Sequence, residues 1–167
     1  DAPDAKIDID APAVGTFEQM KELAVPELHV ITTSAGLKDV KLKGDVMLHA
    51  RSAGKHGTDP RVLILGDAAH AYAIDLRTVR VSAKDLPDIA KAVGHDIKNS
   101  FKVLLELGIK LPHIAHDTLV GAFIINSLAK EQSLTDIAAR DIGYEGTLED
   151  LDDDELLEKA AELVAVL

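Results

Sequence analysis

The sequence predicts an α/β domain in which helices flank a mixed sheet with an antiparallel three-strand meander. The first connection between the predicted strands contains Gly54, Gly57 and Pro60, and the second is the tight turn Gly66-Asp67. Strands joined by connections this short pair antiparallel. Beyond the meander, apolar residues recur every three or four positions instead of every two, which indicates helices. The predicted strands are Val46–Arg51, Arg61–Gly66 and His70–Leu76.

The first part of the chain contributes less regular structure. Residues 1–15 are rich in Ala, Asp and Pro without a sustained period, so we interpret them as a linker and residues 16–167 as the folded domain. A capping-box pattern that starts at Thr16 predicts a short helix over Phe17–Leu23. The β-branched run Leu28–Ser34 predicts an edge strand.

Five helices are predicted in the second half of the chain. Ser82 is a candidate cap before the first, and Gly108 and Gly143 follow the second and fourth, where a left-handed residue ends a helix. The acidic run Glu149–Glu155 lies at the start of the last helix, where carboxylates are favourable. An acidic partner-binding patch is the alternative there. The helices are Lys84–Ala92, Ile97–Leu107, Thr118–Leu128, Ser133–Asp141 and Asp152–Leu167, with a short strand at Ile114–His116.

Composition narrows the classes of function. The chain has 167 residues, 47% of them hydrophobic, which is enough for one core. Its 29 acidic and 18 basic residues give a formal charge of -11, which works against strong autonomous binding to nucleic acid. Only five aromatic residues, two Tyr and three Phe, are available to stack on bases.

The same composition indicates a compartment. With no Cys, neither a disulfide framework nor thiolate chemistry is available, which favours a reducing compartment, the cytoplasm. No apolar run approaches the roughly 20 residues that span a bilayer, so no membrane partner is expected. The chain begins without Met and ends in helical sequence, which suggests a segment of a longer polypeptide.

Three runs carry a family resemblance. The first run, Val93–Leu104, begins a helix with Gly94, a polar pair, an apolar residue and Lys. The second, Ile114–Asn126, leads from a strand through Asp-Thr into a helix. The third, Ser133–Arg140, is a short helix with Ser-Leu near its start. In this order they resemble the 3'–5' exonuclease (proofreading) domain of bacterial family A DNA polymerase I, with looser agreement from about residue 45. The resemblance implies a ribonuclease H-like fold, whose order of meander, helix, strand and helices matches the predicted one.

The first two metal-binding positions of that family carry no carboxylate here. Active members hold two metal ions with carboxylates at four positions, the first two spaced as Asp-x-Glu on the first strand. If Val46–Arg51 is that strand, the positions fall at His49 and Arg51. If the strand is the Leu28–Ser34 run, they fall near Ile31 and Thr33.

The third and fourth family positions also lack a carboxylate. Ser100 stands where the family has the Asp of its helix, and a hydroxyl is a poor, uncharged ligand for Mg²⁺. On the last helix, the family's Tyr-x-x-x-Asp run aligns with Lys159 and Leu163. Without the four carboxylates the charge that makes a divalent metal site is missing.

The resemblance therefore implies a catalytically inactive exonuclease-like domain without a cofactor. It would serve as a scaffold in a DNA-directed DNA polymerase, with the neighbouring domains of the same chain as partners and DNA contacted weakly if at all. One alternative is a metal-dependent exonuclease with substitute ligands, for which Asp96, Asp117 and a histidine are the candidates. Another is a stand-alone acidic interaction module.

Other candidate sites have simpler interpretations. Asp96 precedes an apolar helix and is typical of an N-cap. His113, His116 and Asp117 include zinc-binding residue types. A spacing of three along a strand, however, sends the two imidazoles to opposite faces.

Two further patterns resemble known motifs only in part. His70 and Asp75 match the His-x-x-x-x-Asp spacing of another branch of proofreading exonucleases, but they lie on a strand, and we regard the match as coincidence. The run Gly54–Thr58 lacks the full pattern of a phosphate-binding loop and is interpreted as a surface turn.

Overall fold

A computed structural model of the chain describes residues 24–125, 133–144, 146–148 and 150–167. The predicted linker at residues 1–15 and the predicted helix Phe17–Leu23 lie outside the described residues. So do the end of the predicted helix Thr118–Leu128 and Glu149 of the acidic run.

Six strands form one mixed sheet within those ranges. They are β1 (Glu27–Ile31), β2 (Val46–Ser52), β3 (Pro60–Gly66), β4 (His70–Asp75), β5 (Lys91–Gly94) and β6 (His113–Asp117). The spatial order is β1-β4-β3-β2-β5-β6. Strands β2, β3 and β4 pair antiparallel, which confirms the predicted meander. Strand β1 lies parallel to β4 at one edge, and β5 and β6 continue the sheet beyond β2 in parallel.

Five α-helices accompany this sheet in the described part of the chain. Gly108, with φ +70°, follows the first helix, and Gly143, with φ +68°, ends the third, as the sequence predicted. The Ser133 side chain accepts a hydrogen bond from the Asp136 backbone at the start of the third helix. The helices are α1 (Ile97–Glu106), α2 (Thr118–Ile125), α3 (Leu134–Ile142), α4 (Asp153–Glu158) and α5 (Ala160–Val166).

The predicted helix Lys84–Ala92 is wrong. Residues 81–90 form turns and irregular structure, and β5 begins at Lys91. Pro87 lies inside this run, lacks a backbone N–H and disfavours helical backbone at Leu86. Leu86 and Ile89 still pack on the core, so their helix-like spacing reflects burial from a loop.

The predicted long helix Asp152–Leu167 is two helices. It begins as predicted, because Asp152 and Glu155 form a capping box whose backbone-to-carboxylate distances are 2.8 and 3.1 Å. Lys159, at φ -92° and ψ 8°, then interrupts the helix between α4 and α5.

The core occupies both faces of the sheet. Strand β3 alternates between them, with Leu63 and Leu65 on one face and Val62 and Ile64 on the other, and all four are fully buried. Helix α1 covers the first face, and α3, α4 and α5 cover the second. The end of β2 and the start of α1 meet at the margin of the first face.

A 3₁₀ turn at Lys55–Gly57 packs directly on α1. Gly57 has φ +84°, and a Cβ atom there would lie 2.4 Å from the backbone carbonyl carbon and oxygen of Lys102. Only glycine fits this contact, because both the backbone angle and the approach exclude a side chain.

We expect Gly57→Ala to lower the free energy of unfolding by about 2–4 kcal/mol, since helix backbone must move to admit the methyl group. Gly44→Ala is the matched control, because Gly44 also has positive φ, +73°, but no atom lies within 4 Å of its Cβ position. The control is expected to lose about 1 kcal/mol. Urea unfolding of both variants measures the difference, and equal losses would contradict the proposed close contact.

Candidate functional site

In the register that starts at Val46, strand β2 carries His49 and Arg51 at the first two positions of the resembled family. It lies at the centre of the sheet between β3 and β5, whereas β1, the alternative first strand, lies at an edge. Leu48 and Ala50 belong to the core on the α1 face. His49 and Arg51 therefore point to the opposite face, the one that α4 and α5 cover.

Arg51 places a positively charged side chain at the second of these positions, and this side chain binds the start of α4. The Arg51 guanidinium donates a hydrogen bond to the Leu151 carbonyl and lies 3.7 Å from an Asp153 carboxylate oxygen. The two partners are one hundred or more residues away in sequence. This contact ties β2 to the C-terminal helices with a positive charge where the family has a negative one.

His49 adds a second nitrogen side chain to this site. Burial, followed by electrostatic repulsion from Arg51 and His95, lowers the pKa of His49 from its usual 6.5 to about 4. His49 is thus neutral at physiological pH. A neutral imidazole beside a guanidinium supplies none of the negative charge that two Mg²⁺ ions require.

Ser100 has a structural contact. Its side chain is 2% exposed, and its Oγ accepts a hydrogen bond of 3.0 Å from the Ala50 backbone N–H. Strands β2 and β5 pair only through Val46 and Met47, so Ala50 has no strand partner on that side. The Ser100 hydroxyl satisfies a backbone donor that would otherwise be buried without an acceptor.

The fourth family position is apolar and buried. Leu163 is 1% exposed and belongs to the core between α5 and the sheet. Lys159, which aligns with the family's Tyr, is the residue between α4 and α5. Neither side chain offers an oxygen.

The side chain that caps α1 belongs to Asp117 and not to Asp96, the residue that the sequence predicts. Asp96 holds the N-cap position of α1 with φ +49°, but its side chain makes no capping hydrogen bond and instead accepts one from Asn99. The predicted capping by Asp96 is therefore wrong. Asp117, at the end of β6, caps α1 by accepting 3.0 Å hydrogen bonds from the backbone of Asp96 and Ile97, and it accepts a third from Leu119 in α2.

The strict alternation expected between His113 and His116 does not hold. The register of β6 shifts, so His113 lies opposite Lys91 and His116 lies opposite Val93, two residues further on. Both imidazoles are exposed. Over the described ranges, these residues and Asp117 do not come within ligand distance of one another.

A groove of about 440 Å³ is lined by the end of β2, the Lys55–Gly57 turn and α1, next to Arg51. Its lining includes the positively charged or polar side chains of Lys55, His56, Asn99 and Lys102. Such a lining suits an anion better than a divalent cation.

Sequence reasoning missed one cluster of potential metal ligands. Glu27 and His29 on β1 meet His70 on β4, far from the family positions. We regard the spacing of His70 and Asp75 as coincidence, and Asp75 forms a two-point ion pair with Arg77 at 2.9 and 3.0 Å. The cluster depends on the parallel pairing of β1 with β4, which no local signal in the sequence indicates.

Solved structures with a similar fold include nucleases. NrnC from Brucella melitensis bound to pGG has a TM-score of 0.58 and 14% identity, over 84% of this chain and 77% of that chain. The chain has a ribonuclease H-like fold. The Aedes aegypti Nibbler EXO domain gives a TM-score of 0.54 and 13% identity, over 83% of this chain and 84% of that chain.

A third likeness covers a larger protein only in part. Escherichia coli RNase D, an exoribonuclease involved in structured RNA processing, gives a TM-score of 0.57 and 15% identity over 84% of this chain. This chain spans 42% of that structure. The TM-scores show a shared fold, and identities this low leave the activity of this chain open.

The sequence itself has no match in two other comparisons. No protein-family model matches the chain, and no curated protein matches it. Among the helices of the described ranges, none combines the length and apolarity needed to cross a membrane.

We expect His49 to make stability depend on pH. With a pKa of about 4 when folded and about 6.5 when unfolded, the unfolded chain binds more protons in this window. Stability is then complete above pH 6.5 and falls as the pH drops toward 4. Because His49 is only half-buried, the loss should be about 2 kcal/mol, less than the full shift implies.

Urea unfolding at pH 7.5 and pH 4.5, on the order of one unit above and two below the usual histidine pKa, tests this. His49→Gln cannot titrate and should lose less stability between the two pH values than the wild type. The exposed His113 provides the control, because His113→Gln should keep the wild-type dependence. Identical dependence in the wild type and His49→Gln would contradict the prediction.

We expect Ser100→Ala to lower the free energy of unfolding by about 1–3 kcal/mol, because it leaves the Ala50 N–H buried without an acceptor. Ser34→Ala, at an exposed position, should change it by no more than about 0.5 kcal/mol. Urea unfolding measures both. A Ser100→Ala variant as stable as Ser34→Ala would show that the hydrogen bond contributes nothing.

Proposed function

We propose that this chain is a catalytically inactive 3'–5' exonuclease-like domain that serves as a scaffold beside the polymerase domain of a bacterial DNA polymerase I. The observation that carries the proposal is the chemistry at the family's metal positions. His49, Arg51, Ser100 and Leu163 supply two nitrogen side chains, one hydroxyl already bonded to backbone and one buried alkyl group.

Nearby carboxylates do not replace the missing ligands. Asp153 pairs with Arg51, and both oxygens of Asp117 accept backbone hydrogen bonds at the start of α1. A metal ion would have to displace these partners and approach the Arg51 guanidinium. Two-metal catalysis instead needs several free anionic oxygens around a shared pocket.

A surface suited to a neighbouring domain supports the scaffold role. We define the α2 surface as the exposed apolar side chains of β6 and α2: Ile114, Val120, Phe123, Ile124 and Ile125. Ile124 and Ile125 are 77% and 84% exposed. Several large exposed apolar side chains on neighbouring elements favour contact with another protein or domain.

The first test is nuclease activity. The chain is incubated with 3'-labelled single-stranded DNA and Mg²⁺ or Mn²⁺, and we expect no release of terminal nucleotides above the rate without protein. Asp96→Asn and Asp117→Asn remove charge while keeping one side-chain acceptor each. Asp88→Asn, at an exposed position in the loop before β5, is the matched control.

The proposal would be overturned by nucleotide release that Asp96→Asn and Asp117→Asn abolish while Asp88→Asn preserves it. It would favour the alternative, a metal-dependent exonuclease with substitute ligands. The structure gives that alternative no assembled ligand set among the described residues near β2.

The second test addresses the scaffold role in the polypeptide that carries the polymerase domain. We expect Ile124→Ser to lower its unfolding temperature by several degrees and to reduce processivity on a primed template, because it removes apolar contact area. Leu105→Ser is the control, since Leu105 is 62% exposed on α1, away from the α2 surface. Equal effects of the two variants would contradict docking at the α2 surface.

The remaining alternative is a stand-alone acidic interaction module. The scaffold and the module differ in the sequence that continues beyond Leu167 in the full polypeptide. Polymerase sequence directly downstream supports the scaffold, and its absence supports the module.

A further inference from the structure

Three potential metal ligands meet at the edge of the sheet. The His29 Nε2 and His70 Nδ1 atoms lie 3.1 Å apart, and a Glu27 carboxylate oxygen lies 3.9 Å from each of them. All the candidate ligand atoms lie within 4.8 Å of one another. The group combines two imidazoles and one carboxylate.

The backbone fixes these side chains relative to one another. In the parallel pairing of β1 with β4, Glu27 lies opposite His70 and His29 lies opposite Tyr72. The Glu27 N–H donates a 2.9 Å hydrogen bond to the Ala69 carbonyl. Residues 27, 29, 70 and 72 therefore project from the same face of the sheet.

Neighbouring groups hold both histidines in place. The His29 ring stacks on Tyr72, with centroids 5.1 Å apart and planes 21° from parallel. Tyr72 is itself 4% exposed and bonds the Lys41 backbone, so it is a fixed platform. The buried Asp67 carboxylate accepts a 2.8 Å hydrogen bond from the His70 backbone and fixes the turn from which β4 starts.

We propose that His29, His70 and Glu27 bind a divalent transition-metal ion of the Zn²⁺ type. Imidazole nitrogens bind Zn²⁺ at about 2.0–2.1 Å in tetrahedral sites, which places two ligand atoms about 3.4 Å apart. The observed separations of 3.1 and 3.9 Å lie on either side of that value. Two histidines with one carboxylate and a fourth position for water is a recurring zinc ligand set, whereas Mg²⁺ prefers oxygen.

The site is accessible to an ion from solution. The side chains of His29 and His70 are 36% and 39% exposed, and that of Glu27 is 71% exposed. Their accessible atoms leave room for a water molecule as the fourth ligand.

This site is independent of the proposed scaffold function. It lies on the α1 side of the sheet with Tyr72, whereas His49 and Arg51 point to the other face, and strands β4 and β3 separate β1 from β2. Loss of metal binding would leave the inactive exonuclease assignment unchanged, and nuclease activity at β2 would leave the metal site unchanged.

The bound ion would fasten β1 to the sheet. Strand β1 is an edge strand that pairs only with β4 among the described strands. Two ligands come from β1 and one from β4, so the ion crosslinks the edge strand to its one neighbour. A ligand that binds only the folded arrangement stabilises it by mass action.

The test is Zn²⁺ titration of the untagged 167-residue chain by calorimetry. We expect one Zn²⁺ per chain, at least tenfold weaker binding in His29→Gln and His70→Gln, and weaker binding in Glu27→Gln. His113→Gln is the matched control, because His113 is also exposed and lies on β6 at the other edge of the sheet. Mg²⁺ should produce no binding heat at the site.

Hydrogen exchange provides a second readout that does not depend on the variants. Zn²⁺ should slow exchange of the β1 amides in the wild type and leave the amides of α1 less affected. Absence of stoichiometric Zn²⁺ binding in the wild type would overturn the proposal, as would binding that His29→Gln and His70→Gln leave at wild-type strength. An equal loss in His113→Gln would show non-specific binding to surface histidines and would also overturn it.

Discussion

The parting of β2 from β5 determines how the rest of the fold is assembled. The two strands pair at only two positions, Val46 and Met47, and beyond them α1 takes the place of a neighbouring strand. The Ser100 hydroxyl then accepts the Ala50 N–H, and the Gly57 turn lies against the helix backbone. The first contact gives a buried backbone N–H its acceptor, and the second lets two backbone segments pack closely. The helix thus supplies the hydrogen-bond acceptor that Ala50 does not find in β5, and it lies beside the end of β2.

Much of this architecture could be predicted from local signals, and the failures have physical causes. The meander and the ends of α1 and α3 follow from turn residues and left-handed glycines, which act over a few residues. The helix predicted over Lys84–Ala92 failed because loop side chains can be buried at helical spacing. The interruption at Lys159 has no breaker residue. It coincides with close fit onto the sheet, where Val164 contacts Gly66 so tightly that a Cβ on that glycine would overlap it.

The sequence could predict which residues stand at the candidate site, but it could not predict which partners they contact. The resemblance located His49, Arg51, Ser100 and Leu163, and the absence of carboxylates could be read directly from the residues. The new partners of Arg51 and Ser100 lie fifty or more residues away, so only the folded chain shows them. Arg51 and its partners at the start of α4 hold β2 and the C-terminal helices together.

Asp117 lies between the α2 surface and α1, and this position couples them. Its carboxylate binds the amides of Asp96 and Ile97 at the start of α1, and its backbone ends β6, directly before α2. Any partner that restrains α2 also restrains this carboxylate, and any fraying of α2 loosens the start of α1. Docking at an exposed surface and the local opening of a core helix are therefore linked equilibria. A neighbouring domain would act on the interior of this chain through a single shared side chain.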